Sequence, residues 1–206
     1  MAKKTNIAVL GSTHGTDLQA IIDAIKNGEL EEADLKIVIS NKEDAYILER
    51  AKQAGIPTMF IPAKDKIREE FDQEVMKVLE ENKIDLILLI GYMRYLSKEF
   101  VEKYRYRIMN IHPSLLPAFA GGMDKNVHQE ILDHGCKVTG CTLHFVDEGA
   151  DTGPIILQKA VEIKENETVD SLKEKVQKSE QEIILKAIKL FAQGKLKVEG
   201  RKVKII

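Results

Sequence analysis

The residues best placed to do chemistry stand in three short stretches far apart in the chain. The first is Met109-Asn110-Ile111-His112-Pro113-Ser114-Leu115-Leu116-Pro117. An Asn-x-His alternation at the end of an apolar run projects both side chains to one face of a strand. The prolines stiffen the exit. Asparagine offers an amide donor and histidine a donor or proton carrier near neutral pH, so together they can hold an oxyanion formed on a carbonyl under attack. A histidine standing alone is more often structural; the pairing with Asn110 at a strand end is what points to chemistry.

The second stretch is Asp147-Glu148-Gly149-Ala150-Asp151-Thr152-Gly153-Pro154. It reads as a solvated acidic turn, or as the source of one carboxylate that faces a histidine, raises its pKa and holds it protonated. Spacing alone does not bring Asp151 to His112, and the oxygen ligands of an EF-hand calcium loop are missing. The third stretch, Gly11-Ser12-Thr13-His14-Gly15-Thr16-Asp17, precedes a helical pattern. It is either a strand-to-helix turn capped by Thr16 or Asp17, or an anion site built from free N–H groups at a helix start. The Asp17 carboxylate would repel a phosphate unless it points away. GxGxxG and GxxxxGK[ST] are absent, which argues against NAD and ATP in their usual cradles.

These loops need a scaffold, and the apolar pattern supplies one. Short continuous runs at Ile7–Leu10, Leu35–Ile39, Thr58–Ile61, Ile84–Ile90 and Ile108–Ile111 suit strands buried on both faces of a parallel sheet. Helical spacing separates them: Leu18, Ile21, Ile22 and Ile25; then Ile47, Leu48 and Ala51; then Phe71, Val75, Met76, Val78 and Leu79. The alternation predicts an open, mostly parallel α/β sheet with helices on both faces. Val138–Val146 and Pro154–Ile163 read as two further strands joined by the acidic loop. A helix from about Thr168 to Ala192 and a hairpin of Leu196–Val198 with Val203–Ile205 around Glu199-Gly200 follow, so antiparallel strands are expected in the C-terminal part. Ligands of such sheets bind at the carboxyl ends of strands, which selects the loops Gly11–Asp17, Asn41–Asp44, Gly91–Leu96, Asn110–Met123 and Asp147–Gly153.

Composition narrows the classes. The sequence has 206 residues, 44% hydrophobic and 31% charged, which suits one domain over residues 1–206 and argues against disorder. Lys and Arg number 31 against 33 Asp and Glu, so no basic excess points to nucleic acid or an acidic membrane. No apolar stretch approaches a membrane span, and the basic start MAKKTNIAVLG reads as a tail feeding the first strand. A cytoplasmic location is expected. Cys136 and Cys141 are spaced too far for CxxC and read as small hydrophobes. His128 and His134 lack zincin spacing, so no metal site is expected. Ser12, Ser40, Ser97 and Ser114 lack the Gly-x-Ser-x-Gly elbow of a serine hydrolase.

Taken together, the motifs resemble the glycinamide ribonucleotide formyltransferase family. They run in that family's order from about Asn6 to Lys195: Ile7-Ala-Val-Leu, Gly15-Thr16-Asp17-Leu18-Gln19-Ala20, Arg68-Glu-Glu-Phe71-Asp72, Gly91-Tyr-Met93-Arg94-Tyr-Leu96, Asn110-Ile-His112-Pro113-Ser-Leu-Leu-Pro117, His144-Phe-Val146, and Asp151-x-Gly153-Pro154-Ile-Ile-Leu-Gln158. The resemblance implies a Rossmann-like formyltransferase fold. It also implies transfer of a formyl group from 10-formyltetrahydrofolate to the amine of glycinamide ribonucleotide in purine biosynthesis. Asn110, His112 and Asp151 would be catalytic, with His112 protonated. Gly15, Thr16, Asp17, Gln177 and Glu180 would bind the ribonucleotide, Glu180 attracting its ammonium group. Arg68, Met93, Arg94, Tyr95, Leu96, Asp147, Glu148, Gly149 and Ala150 would line the folate pocket. The implied partners are these two small molecules, with no metal, nucleic acid or membrane, acting on a monomer or homodimer. Formyltetrahydrofolate hydrolysis, a different amine acceptor, and a non-catalytic binding relative are the alternatives. Two departures bear on the acceptor: Asp17 stands where the family usually has asparagine, and the loop Ala118–Asn126 looks longer than the common form.

Overall fold

Nearly continuous apolar runs become strands because both their faces are covered. The computed structural model describes residues 4–121 and 126–206, so the start of the basic tail and residues 122–125 of the loop Ala118–Asn126 lie outside the described residues. The strands are β1 (Thr5–Leu10), β2 (Ala33–Ser40), β3 (Thr58–Phe60), β4 (Leu86–Leu89), β5 (Ile108–His112), β6 (Val138–Phe145), β7 (Ile155–Glu162), β8 (Leu196–Glu199) and β9 (Lys202–Ile205). Among the described residues they form one sheet in the order β3-β2-β1-β4-β5-β6-β7-β9-β8. The pairs from β3 to β5 are parallel, β5–β6 and β6–β7 are antiparallel, and β8–β9 is the expected hairpin.

The helices are α1 (Thr16–Lys26), α2 (Tyr46–Gln53), α3 (Arg68–Glu81), α4 (Lys98–Lys103), α5 (Val127–Asp133) and α6 (Val169–Ala192). Two apolar layers result. Leu18, Ile21, Ile47, Ile131, Val176 and Ile184 pack on one face of the sheet with Val9, Leu88 and Leu143. Phe71, Val75, Met76 and Phe100 cover the other face over Ala8, Leu10 and Ile87. The mostly parallel fold with antiparallel C-terminal strands is therefore the one the pattern predicts.

Local details differ from the reading of the sequence. Helix α4 has too few apolar residues to show a period, yet Phe100 and Val101 are buried and Ser97 caps it, accepting from the Phe100 N–H. Neither Thr16 nor Asp17 caps α1. Gly15 stands at that position with φ 67° and gives no side-chain cap. The cause is α2 packing tightly there: a Cβ on Gly15 would lie 2.4 Å from Ile47 Cγ1. His134 falls just beyond α5, at its C-cap.

The chain runs from β1 to β2 and β3 in one direction, then returns across β1 to β4 and β5. The loops after β1 and β4 consequently part at the switch point, where an open sheet forms a crevice.

Candidate active site

The crevice is deepened by three loops. The β4–α4 loop is pinned to the β1–α1 loop, since Ser12 N–H donates to the Gly91 carbonyl (3.0 Å) and Ser12 Oγ accepts from Met93 N–H (3.0 Å). Ser12 Oγ in turn donates to Asn41 Oδ1 at 2.6 Å, tying in the loop after β2. At the far end Ser97 N–H donates to Asp72 Oδ2 of α3. The β5 exit and the β6–β7 loop close the other sides. The cavity between them measures about 530 Å³, in the range of small-molecule sites.

Asn110, His112 and Asp151 all line this cavity. Asn110 and His112 share a face of β5 as their alternation predicts, opposite His144 and Thr142 of β6. Asp151 enters from the β6–β7 loop in a left-handed conformation, φ 56°. Its Oδ1 accepts from Asn110 Nδ2 at 3.3 Å and lies 3.5 Å from His144 Nε2. Its Oδ2 accepts from Gly121 N–H at 2.9 Å and lies 3.3 Å from His112 Nδ1. Burial by itself would raise the Asp151 pKa. The contacts with His144 and Gly121 and the charges of His112 and His144 outweigh it and hold the carboxyl at about 2, so Asp151 is an anion.

His112 departs from expectation. Only 6% exposed, its imidazole is driven toward the neutral form by burial, which outweighs the Asp151 charge and the Phe119 contact that favour the cation. The resting ring is therefore not the imidazolium that the acidic loop was expected to maintain. Its contacts remain poised for protonation, because Nδ1 faces Asp151 and Nε2 faces the Phe119 carbonyl at 3.1 Å, both acceptors. A ring with one proton satisfies one of them; a second proton would satisfy both.

Arg68, Met93, Arg94, Tyr95, Leu96 and Asp147–Ala150 also line the cavity, on the side formed by the β4–α4 and β6–β7 loops. The Arg94 guanidinium lies over the Phe71 ring, 4.2 Å from its centroid, where cation–π attraction orients it. Beneath it, burial pushes up the pKa of both Asp72 and the Tyr92 hydroxyl. The residues expected at the ribonucleotide stand elsewhere. Gly15, Thr16 and Asp17 begin α1, Gln177 and Glu180 lie on α6, and none of them lines the cavity. Asp17 does point away from solvent, as a phosphate beside it would require, and is 6% exposed.

His144, Ser12 and His128 were not singled out from the sequence as site residues. The first had a signal: Thr142 and His144 alternate within the apolar strand Cys141-Thr-Leu-His-Phe145, and buried polar residues two apart on a strand share a face. His128 lines the cavity with its Nδ1 buried and unpartnered among the described residues. No group of histidine, cysteine and carboxylate side chains fit to hold a metal ion is found among the described residues.

A family model described as Formyl transferase matches residues 5–188. The human trifunctional purine biosynthetic protein adenosine-3 is 47% identical over 93% of this chain, which spans only 19% of that larger protein. The phosphoribosylglycinamide formyltransferase of Escherichia coli K12 is 41% identical over 94% of the chain and 90% of its own length. The crystal structure of glycinamide ribonucleotide transformylase 1 from Symbiobacterium toebii superposes with a TM-score of 0.93 at 43% identity, covering 98% of this chain and 94% of that one.

Proposed function

The chain belongs to the formyl transferase family, and on that premise we propose that it transfers a formyl group from 10-formyltetrahydrofolate to the amine of glycinamide ribonucleotide, a step of purine biosynthesis. The observation that carries the reading is the convergence of Asn110, His112 and Asp151 in one cavity walled by the β4–α4 and β6–β7 loops.

In this reading the folate lies along Arg68, Met93, Arg94, Tyr95, Leu96 and Asp147–Ala150, with Met93 and Leu96 against its rings and backbone groups on its polar edge. The ribonucleotide phosphate meets the free N–H groups at the start of α1, which no side chain caps. Gln177 and Glu180 reach toward the glycinamide end. The neutral amine attacks the formyl carbon, the C=O electron pair moves to oxygen, and the Asn110 amide and His112 receive the oxyanion. Such donors are typically worth about 10²–10³ in turnover each. Because the resting His112 is neutral, it serves first as a base. It takes the second amine proton through Asp151 or a water, and the positive charge of the resulting imidazolium offsets the oxyanion that the Asn110 amide binds. It then returns that proton to the departing folate nitrogen. On the same reading the protein is a cytoplasmic monomer or homodimer. No helix among the described residues is long and apolar enough to cross a membrane.

The test is a formyl-transfer assay with 10-formyltetrahydrofolate, offering glycinamide ribonucleotide or water as acceptor. Formylated ribonucleotide in step with tetrahydrofolate release is expected. Formate release unaffected by the ribonucleotide would overturn the reading in favour of hydrolysis.

A further inference from the structure

The loop that carries Asp151 is braced from outside the cavity. Asp151 adopts a left-handed backbone at φ 56°, a conformation that a residue with a Cβ keeps only where its neighbours over-determine it. Three hydrogen bonds do so here. Asp147 Oδ1 accepts from the Gly149 N–H at 3.1 Å and from Thr152 Oγ1 at 2.6 Å, which ties the two ends of the loop together. The Thr152 carbonyl accepts from Arg201 Nη2 at 3.0 Å. Two glycines record how closely the chain is drawn in. A Cβ on Gly149 would lie 2.0 Å from Thr152 Oγ1, and one on Gly153 would lie 1.8 Å from the Phe145 carbonyl oxygen.

Arg201 comes from the far end of the chain. It stands with Gly200 in the turn between β8 and β9, beyond the residues 5–188 that the family model matches. β9 meets β7 at the pair Ile155↔Lys202, which fixes this turn beside the exit of the loop. A second cavity of about 170 Å³ lies between the loop and the turn, lined by Asp147, Glu148 and Thr152 and by Arg105, Gly200 and Arg201. The loop is therefore a partition, since Asp147 and Glu148 line both cavities. Room behind a partition lets it recede unless something spans the gap, and the Arg201 guanidinium spans it.

We propose that Thr152 and Arg201 are positioning residues for the reaction. The Thr152 hydroxyl, through Asp147, and the Arg201 guanidinium, through the Thr152 carbonyl, hold the loop forward so that Asp151 reaches His112 and Asn110. This rests on the formyl-transfer reading of Asp151, and neither residue touches the reacting atoms. The geometry at stake is fine. Asp151 Oδ2 lies 3.3 Å from His112 Nδ1, and Oδ1 lies 3.3 Å from Asn110 Nδ2. Both are at the outer reach of a hydrogen bond, so a small recession parts them. A misplacement of about 1 Å costs on the order of 10²-fold in rate. The same recession would shift Asp147–Ala150, the wall assigned to the formyl donor. The residues assigned to the acceptor, at the start of α1 and on α6, lie outside the loop.

The experiment compares wild type with Thr152→Val, which keeps the side chain's shape and changes no charge. Thr152→Ser serves as the rescue and Arg201→Met as the second variant. Both positions are exposed, so the variants are expected to fold with melting temperatures near wild type. In Thr152→Val kcat should fall about ten- to a hundredfold and KM for 10-formyltetrahydrofolate should rise several-fold, with KM for glycinamide ribonucleotide unchanged. Thr152→Ser should restore both constants, and Arg201→Met should move them in the same direction as Thr152→Val. ¹³C NMR titration of Asp151 in the unliganded protein reads its position directly. Burial raises that carboxyl, but His144, the Gly121 N–H and the His112 charge hold it at about 2 against an ordinary 3.8. In Thr152→Val the midpoint should rise by about one unit as those contacts loosen. Wild-type constants in either Thr152→Val or Arg201→Met, no rescue by Thr152→Ser, or a lowered melting temperature with an unmoved midpoint would each overturn the brace. A midpoint raised in Thr152→Val, beside a wild type that transfers no formyl group to the ribonucleotide, would count against the formyl-transfer reading and leave the brace standing.

Discussion

Replacing Asp151 by asparagine removes one negative charge and very little else. Asparagine tolerates the left-handed backbone that Asp151 adopts at φ 56°, so the loop need not move. The four groups around the carboxylate, however, are Asn110 Nδ2, His144, His112 and the Gly121 N–H. A carboxamide presents one oxygen and one NH2, so one side of the site now sets donor against donor. Stability should fall first. A carboxyl at about 2 against its ordinary 3.8 contributes about 2 kcal/mol at neutral pH, as an upper bound because the imidazole charges that help depress it fade above neutrality. The sign follows from a depressed pKa: the contribution is present in full above 3.8 and is lost as pH falls toward 2. For a chain of this size the melting temperature of Asp151→Asn should drop by about 4–8 °C at pH 7 and converge on wild type in acid. Turnover should fall much further. Without the carboxylate His112 loses both its proton route and its counter-charge, and a positioned acid–base group is worth about 10²–10⁴. The assay is steady-state kinetics on folded, calorimetrically checked protein, with KM for both substrates within a few-fold of wild type. A folded Asp151→Asn enzyme that retains more than a tenth of wild-type kcat would refute the role given to Asp151.

Three further changes test other parts of the site. Arg68→Ala, at the exposed start of α3 on the cavity wall, should raise KM for the formyl donor about tenfold, the worth of one charged hydrogen bond, with kcat preserved in initial-rate measurements. Ser12→Ala removes the Oγ that joins Asn41 to Met93 N–H; the loss of two hydrogen bonds of about 0.5–1.5 kcal/mol each should lower the melting temperature and raise KM for the folate several-fold. A kcat loss with unchanged KM would show instead that Ser12 does not position the β4–α4 loop. Gly140→Ala would place a Cβ 2.0 Å from the Lys159 carbonyl oxygen of the paired strand, so β6 and β7 must part. A loss of about 3 kcal/mol or more is expected in urea unfolding, against about 1–2 kcal/mol for an exposed glycine such as Gly55, whose added Cβ would meet nothing but whose positive φ strains any L side chain.

Much of the architecture was legible because it is written in local periodicity. The β1, β2 and β5 runs and the long α6 carry their own spacing, and the loops that follow the strands fall where ligands of open sheets bind. Helix α4 escaped because six residues are too few for a period to show, and its stability comes from Phe100 packing under α3. The Gly15 cap was missed for a related reason. The residue types favoured Thr16 or Asp17, and only the contact with Ile47 decides otherwise.

What the sequence determined by itself was the alternation that sets Asn110 and His112 on one face, together with the set of loops able to meet a ligand. Both follow from backbone geometry over a few residues. The tertiary structure alone decided that Asp151, 41 residues beyond Asn110, closes on the same cavity. It alone enclosed Asp17 with Glu180 of α6. It also set the charge of His112, because ionisation depends on how much water remains around a group, and that is settled by packing between segments distant in the chain.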